Sequence, residues 1–222
     1  MIDTSPEKMD QPGMVPEMVD SIEDGLSRIE KVVSSLLDYS RRGGRQQNTR
    51  TPYDLTKAIH TALELAHGDY ARIAVIEMDL QPIPELMVYG NEIDQVLLNL
   101  LRNAVDAIKE RMEAGGRATE GSGLFPVLPG FPHHSKLPGQ IRIRCWLDHD
   151  LVICTISNNG CPLESSLSES IFKPFYSTKP GSQGTGLGLS ISKEIIEEHH
   201  GGRLSLSSYD PVEFRFELPI KQ

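Results

Sequence analysis

The sequence predicts an α/β protein: a two-layer sandwich with a mixed sheet and helices on one face, preceded by a coiled-coil-like helix. Three patterns predict it. Ile141, Ile143, Cys145 and Leu147 alternate with Arg142, Arg144, Trp146 and Asp148, and Leu204, Leu206, Phe214, Phe216 and Leu218 keep the same period of two, the mark of half-buried strands. Ile93, Leu97, Leu100, Ala104, Ile108 and Met112 recur at the helical period. Val15, Val19, Ile22, Leu26, Ile29, Val33 and Leu36 are spaced 4, 3, 4, 3, 4, 3, a heptad seam that needs a partner helix.

Composition bounds the class. The 222 residues are 38% hydrophobic and 24% charged, enough apolar content for a core. The net charge of −9 argues against nucleic acid, which wants basic surfaces. Cys145, Cys154 and Cys161 lack metal-type spacing and read as reduced thiols of a cytoplasmic protein. No apolar run approaches bilayer length and no signal peptide is present, so a membrane sensor would lie outside this chain.

Residues 1–14 are polar with two prolines and read as a mobile tail. The seam helix follows from Pro16 and ends near Arg41–Gly44. RQQNTRTP, 45–52, reads as a hinge. A helix carries Leu55, Ile59, Leu63 and Ala66 on one face; strands are expected at Arg72–Asp79 and Leu86–Tyr89. Asn91 is read as the N-cap of the next helix, with Glu92 and Asp94 in its first turn. Residues 114–139 are rich in Gly and Pro and long for a connection. Their Leu124, Phe125, Val127, Leu128 and Phe131 fit a core cover or a docking segment; His133 and His134 lack a third metal ligand. DHD, 148–150, turns the chain into a second strand, Leu151–Ser157. A last helix ends at Gly201–Gly202, where His199 and His200 suit the helix dipole, and two strands close the chain.

Two stretches carry chemistry. In IFKPFYSTKPGSQGTGLGLSIS, 171–192, Gly181, Gly184, Gly186 and Gly188 precede a helix holding Leu187, Leu189, Ile191, Ile195 and Ile196. Glycines there let backbone N–H groups approach an anion, and Lys179 adds a positive charge. A phosphate cradle and an empty glycine-rich loop both fit. In NEIDQVLLNLLRNAVDAIKERME, 91–113, Gln95, Asn99, Asn103 and Asp106 are spaced four, four and three, on one face. Such oxygens suit hydrated magnesium and phosphate; a solvated polar face is the other reading.

Together these stretches resemble a known family. NLLRNAVDA (99–107) resembles the N box of the histidine-kinase ATPase domain, IFKPFYSTK (171–179) its F box and GTGLGLSIS (184–192) its second glycine box, in the family's order. The resemblance covers roughly residues 50–222, and SRIEKVVSSLLDYSRR (27–42) resembles the second helix of the dimerisation and phosphotransfer hairpin. It implies the Bergerat fold, with ATP between the helix layer and a lid. The domains would be 1–14, a tail; 15–48, partial phosphotransfer helix and hinge; and 49–222, the ATP-binding catalytic domain.

The resemblance implies ATP and Mg2+. Asn99 and Asn103 would be the catalytic pair, with Asn103 holding magnesium and Asn99 supporting it, and Asp106 orienting the helix face or a water. Asn158 and Gly160 would frame adenine. Thr178, Lys179, Gly184, Thr185, Gly186, Leu187, Gly188 and Leu189 would bind the nucleotide, chiefly at its phosphates. Phe172 and Phe175 would anchor the lid. SNNGCPLE (157–164) departs from the family's D-x-G-x-G: Asn158 replaces the aspartate and Pro162 the second glycine. Asparagine accepts a hydrogen bond without charge assistance.

The implied activity is transfer of the ATP γ-phosphoryl group to a histidine, with a response regulator as partner. No histidine precedes His60, and His60 lies in the first helix of the ATPase domain, so no phosphoacceptor is identified here. An acceptor helix would come from upstream sequence or another chain, and two chains could pair through residues 15–36. A non-catalytic docking relative is the alternative. A MutL- or gyrase-type hydrolase is disfavoured because asparagine stands where those enzymes use a glutamate base.

Overall fold

The computed structural model describes residues 49–115, 138–177 and 185–220. The tail at 1–14, the seam at 15–36, the helix at 27–42 and most of the 114–139 segment lie outside them. Two compact units make up the chain: residues 47–174 with 187–222, and 1–46 with 175–186. Of the second, only 175–177 and 185–186 are described.

The first unit opens with β1 (Thr51–Tyr53), helix α1 (Leu55–Tyr70), β2 (Ala74–Leu80), β3 (Leu86–Val88) and helix α2 (Gly90–Gly115). It continues with β4 (Gly139–Asp148), β5 (Leu151–Asn158), helix α3 (Gly188–Glu194), β6 (Arg203–Tyr209) and β7 (Val212–Pro219). Five strands form a mixed sheet in the order β2-β4-β5-β7-β6. Among the described residues β2 and β4 pair in parallel and the other pairs of this sheet are antiparallel. β1 and β3 form a separate antiparallel ribbon. The hinge expected at 45–52 therefore ends earlier: Thr51 and Pro52 pair with Val88 and Met87.

Each helix forms for a visible reason. The Asp54 side chain caps α1 by accepting from Lys57 N at 3.0 Å. Leu55, Ala58, Ile59, Ala62, Leu63 and Ala66 then line its buried face, and His60 is exposed. On α2 the buried face is wider than the expected one, adding Val96, Leu101 and Val105. Ile141, Ile143, Cys145, Cys154, Ile156, Phe214 and Phe216 supply the sheet's side of the core. Among the described residues no helix is long and apolar enough to cross a membrane.

Strand β5 is buried on both faces: Val152 through Asn158 are all buried. The cover over its outer face comes from arginines on its neighbours. Arg144 on β4 reaches across β5 to Glu213 on β7 at 2.9 Å. Thr155, 1% exposed, lies in register between Arg144 and Arg215, while Glu213 is in register with Ser157. Arg144 and Arg215 also lie over the Trp146 ring, and Arg142 pairs with Glu77 through two hydrogen bonds of 3.0 and 2.8 Å. The aliphatic stems of arginine suit this, since they cover surface while the charged head finds a partner.

Candidate functional site

The first glycine box follows from the end of β5. Asn158 is 2% exposed, and its Oδ1 accepts from Gly160 N at 2.9 Å, closing a tight turn. Gly160 is pressed against α2: a Cβ there would stand 2.4 Å from the Ala107 carbonyl carbon and 2.6 Å from Ile108 N. Hydrogen bonds also hold the box to α2, one of them from Arg111 Nη1 to Asn159 O at 3.3 Å. Cys161 N donates to Ala107 O at 3.0 Å, and Arg111 Nη1 donates to Gly160 O at 2.8 Å. The next residue, Asn159, was not among the expected site residues, yet it is the strut. Its Oδ1 accepts from Gln140 N at 2.7 Å and its Nδ2 donates to Pro138 O at 3.0 Å. Only its place beside Asn158 hinted at this.

The α2 face bearing Gln95, Asn99, Asn103 and Asp106 is half-buried throughout, so it is not a fully solvated face. Asn99 meets the second glycine box. A Cβ on Gly188 would lie 2.2 Å from Asn99 Oδ1, and Asn99 Nδ2 donates to Ser192 Oγ at 2.9 Å. Gly188 begins α3, with Leu187 as its cap residue. Leu187 is itself buried, 7% exposed, while Leu189 is half-buried. Thr178, Lys179, Gly181 and Gly184 lie outside the described residues. Thr185 and Gly186 belong to the second unit, where Gly186 takes φ +66° with a Cβ position 2.4 Å from the Phe175 carbonyl carbon. That close approach requires glycine.

Three expectations need correction. Phe172 packs as expected, edge-on to Phe214 and beneath Lys193, but Phe175 is 65% exposed, with φ +65°. Asn91 is an exposed first-turn residue, not the N-cap, because α2 starts at Gly90. Glycine is needed there: a Cβ would stand 2.8 Å from the Tyr53 ring. His200 is not a cationic partner of a helix dipole. It is 1% exposed, its Nδ1 lies 2.8 Å from Ile195 O and its Nε2 accepts from Tyr89 N at 3.0 Å. That pair of partners fixes a neutral ring with the proton on Nδ1. Burial, chiefly, holds its pKa below the ordinary histidine value.

Around His200 the start of the unit is fastened. Arg50 donates to His199 O at 2.7 Å and lies over the Tyr89 ring. His199 pairs with Glu92 at 3.0 Å. Tyr53 OH donates to Asp94, and burial together with that carboxylate raises the Tyr53 pKa. The first-turn carboxylates of α2 thus have specific partners. Helix α3 runs on into a π turn, Ile195–His199, that delivers both histidines to this corner.

The residues fit a nucleotide site. Both glycine boxes approach α2 closely enough to exclude a Cβ, at Ala107 and at Asn99. Among the described residues no group of three His, Cys, Asp or Glu could hold a metal. A cation here would depend on carboxamide, carboxylate, water and phosphate oxygens, which is how magnesium is usually held.

Comparison with known proteins agrees with this geometry. Residues 89–222 match the family described as histidine kinase-, DNA gyrase B-, and HSP90-like ATPase. The chain is 33% identical over 199 residues to the signal transduction histidine-protein kinase AtoS of Escherichia coli (strain K12), covering 88% of this chain and 28% of that protein. It is similar to the solved catalytic domain of histidine kinase ThkA, with 28% identity, a TM-score of 0.59, and 77% of this chain and 95% of that one covered. It also resembles ThkA in complex with the response regulator protein TrrA, with 25% identity, a TM-score of 0.62, and 97% and 54% covered. The chain spans about a quarter of the length of the first curated sensor kinases it matches, and with more than half of its own length matched it belongs to the histidine kinase-, DNA gyrase B- and HSP90-like ATPase family.

Proposed function

We propose that this chain transfers the γ-phosphoryl group of ATP to a histidine supplied by upstream sequence or by another chain. The observation that carries the proposal is the meeting of the N box and the second glycine box at Asn99 and Gly188. A nitrogen of the acceptor imidazole bonds to the γ-phosphorus as the bond to the β,γ-bridging oxygen breaks, and ADP leaves. Such chemistry is mostly positioning and charge neutralisation. Magnesium, when bound, neutralises phosphate charge. Asn103 is assigned to hold it and Asn99 to support it, with Asp106 orienting a water or the helix face. Asn158 and Gly160 frame adenine. Thr178, Lys179, Gly184, Thr185, Gly186, Leu187, Gly188 and Leu189 form the phosphate end of the site.

The catalytic domain is taken as 49–222, and the fastening of Arg50 and Tyr53 supports that start. A response regulator is the proposed partner, since similar ThkA is known in complex with one. The reading carries a cytoplasmic setting and pairing of two chains through residues 15–36; a chain that stays monomeric through the micromolar range in sedimentation would remove the pairing.

The test is a calorimetric titration with a non-hydrolysable ATP analogue and magnesium, beside Asn103→Ala. Submillimolar or tighter binding that weakens at least about tenfold in the variant is expected, as for loss of a metal ligand's support. No binding at millimolar nucleotide would overturn the proposal.

A further inference from the structure

Helix α3 buries one polar side chain that the proposed chemistry has not yet used. Ser192 is 1% exposed, on a helix whose π continuation buries Ile195 and Ile196. A buried hydroxyl is costly unless it is hydrogen-bonded. Its partner is Asn99, whose Nδ2 donates to Ser192 Oγ at 2.9 Å. Ser192 lies four residues after Gly188, so both face the same way. Gly188 supplies a notch and Ser192 a hook for one carboxamide.

The two ends of a carboxamide are nearly the same size and opposite in chemistry. A cation or its bound water needs the oxygen. Packing alone does not distinguish an amide from its flipped form, and a hydroxyl can accept from Nδ2 or donate to Oδ1; in the structure Ser192 Oγ accepts from Nδ2. With Nδ2 held by Ser192, Oδ1 is the Asn99 atom nearest the missing Cβ of Gly188, at 2.2 Å. The oxygen is thus turned toward the residue that begins α3, where the glycine box joins the helix.

We infer that Ser192 is a positioning residue: by accepting from Asn99 Nδ2 it fixes the carboxamide with its oxygen toward the glycine box, where it serves the magnesium–phosphate end of the nucleotide. The inference rests on the proposed kinase reading and adds a determinant to it. It also ties the N box to the second glycine box through a bond made before any ligand arrives.

The test compares wild type, Ser192→Ala and Ser192→Thr. Affinity for the ATP analogue is measured by calorimetry with magnesium and again with a chelator. In the ligand-free wild type, NMR follows solvent exchange of the Asn99 carboxamide protons. One protected Asn99 proton is expected in wild type and none in Ser192→Ala. The gain in affinity brought by magnesium should fall about tenfold in Ser192→Ala, the lower end for groups that support metal ligands. Affinity in chelator should stay within about twofold, since a single neutral hydrogen bond away from the base is worth little to it. Ser192→Thr keeps the hydroxyl and should restore the magnesium gain. Equal loss with and without magnesium would mean a packing role and overturn the inference. So would an unchanged magnesium gain in Ser192→Ala, or a wild-type Asn99 amide that exchanges like an exposed one, a result that stands even if a variant fails to fold. A wild type that binds no nucleotide would instead overturn the kinase reading, and this inference with it.

Discussion

Replacing His200 with alanine tests the account of the buried corner. The imidazole satisfies Tyr89 N–H and Ile195 O, at 3.0 and 2.8 Å, and meets the Tyr89 ring edge-on at 5.4 Å. Truncation leaves a donor and an acceptor unpaired in a site that is 1% exposed. Each unpaired buried group costs about 1–3 kcal/mol, and the lost ring contact about 0.5–1.5 kcal/mol. Allowing for some entry of water, the expected loss is about 3–4 kcal/mol, or roughly 10 °C in Tm for a domain of this size. Urea unfolding followed by circular dichroism measures it. His199→Ala is the control: its contact with Glu92 is partly exposed and its loss should cost under about 1 kcal/mol. The pH dependence has a definite sign. The folded pKa of His200 is lowered, first by burial, then by Arg50 and His199, against the raising effects of Ile195 O and Glu92. The unfolded chain therefore takes up the proton first on acidification. Stability from the neutral ring is full above the ordinary value near 6.5, and is lost as pH falls from there through the folded pKa, by at most about 1.4 kcal/mol per pH unit. His200→Phe should flatten that slope. A His200→Ala loss under about 1 kcal/mol, or a slope unchanged in His200→Phe, would refute the reasoning.

Two further outcomes are expected. Gly160→Ala forces a Cβ into the backbone at Ala107 and Ile108 and should cost about 2–3 kcal/mol by overpacking, whereas Gly68→Ala, on α1 with nothing within 4 Å of its Cβ position, should stabilise by about 0.5–1 kcal/mol; equal effects in thermal unfolding would contradict the close approach. Asn158→Asp keeps the acceptor for Gly160 N and adds charge, so it should tighten nucleotide binding about fivefold, equivalent to about 1 kcal/mol; weaker binding in a titration would remove Asn158 from the adenine end.

The elements that the sequence made legible are those with a period. The β4–β5 hairpin, the last two strands and the α2 face all follow alternation or helical spacing, because burial on one side imposes it. The short β1 escaped: Thr51-Pro52-Tyr53 has a proline and no alternation, and it is a strand only because β3 pairs with it. β5 reads only as the return strand of a hairpin, and the burial of its outer face depends on arginines from two other strands. His200 was misread because its partner Tyr89 lies 111 residues away. Ser192 and Asn159 left no mark, since serine in a helix and asparagine in a loop are ordinary until a contact gives them work. The glycine boxes were legible for the opposite reason: glycine before a helix, or at a strand end, is informative without its neighbours.

The double cover of β5 sets a gradient of stiffness along the site. Amides on a strand enclosed on both faces exchange with solvent only when the whole sheet opens. The first glycine box continues that strand and is riveted to α2 through Ala107 and Arg111. The second box stands on a seven-residue helix that passes into a π turn. The end assigned to the base is therefore a fixed socket, so opening fluctuations that admit a nucleotide should leave Asn158 and Gly160 in place.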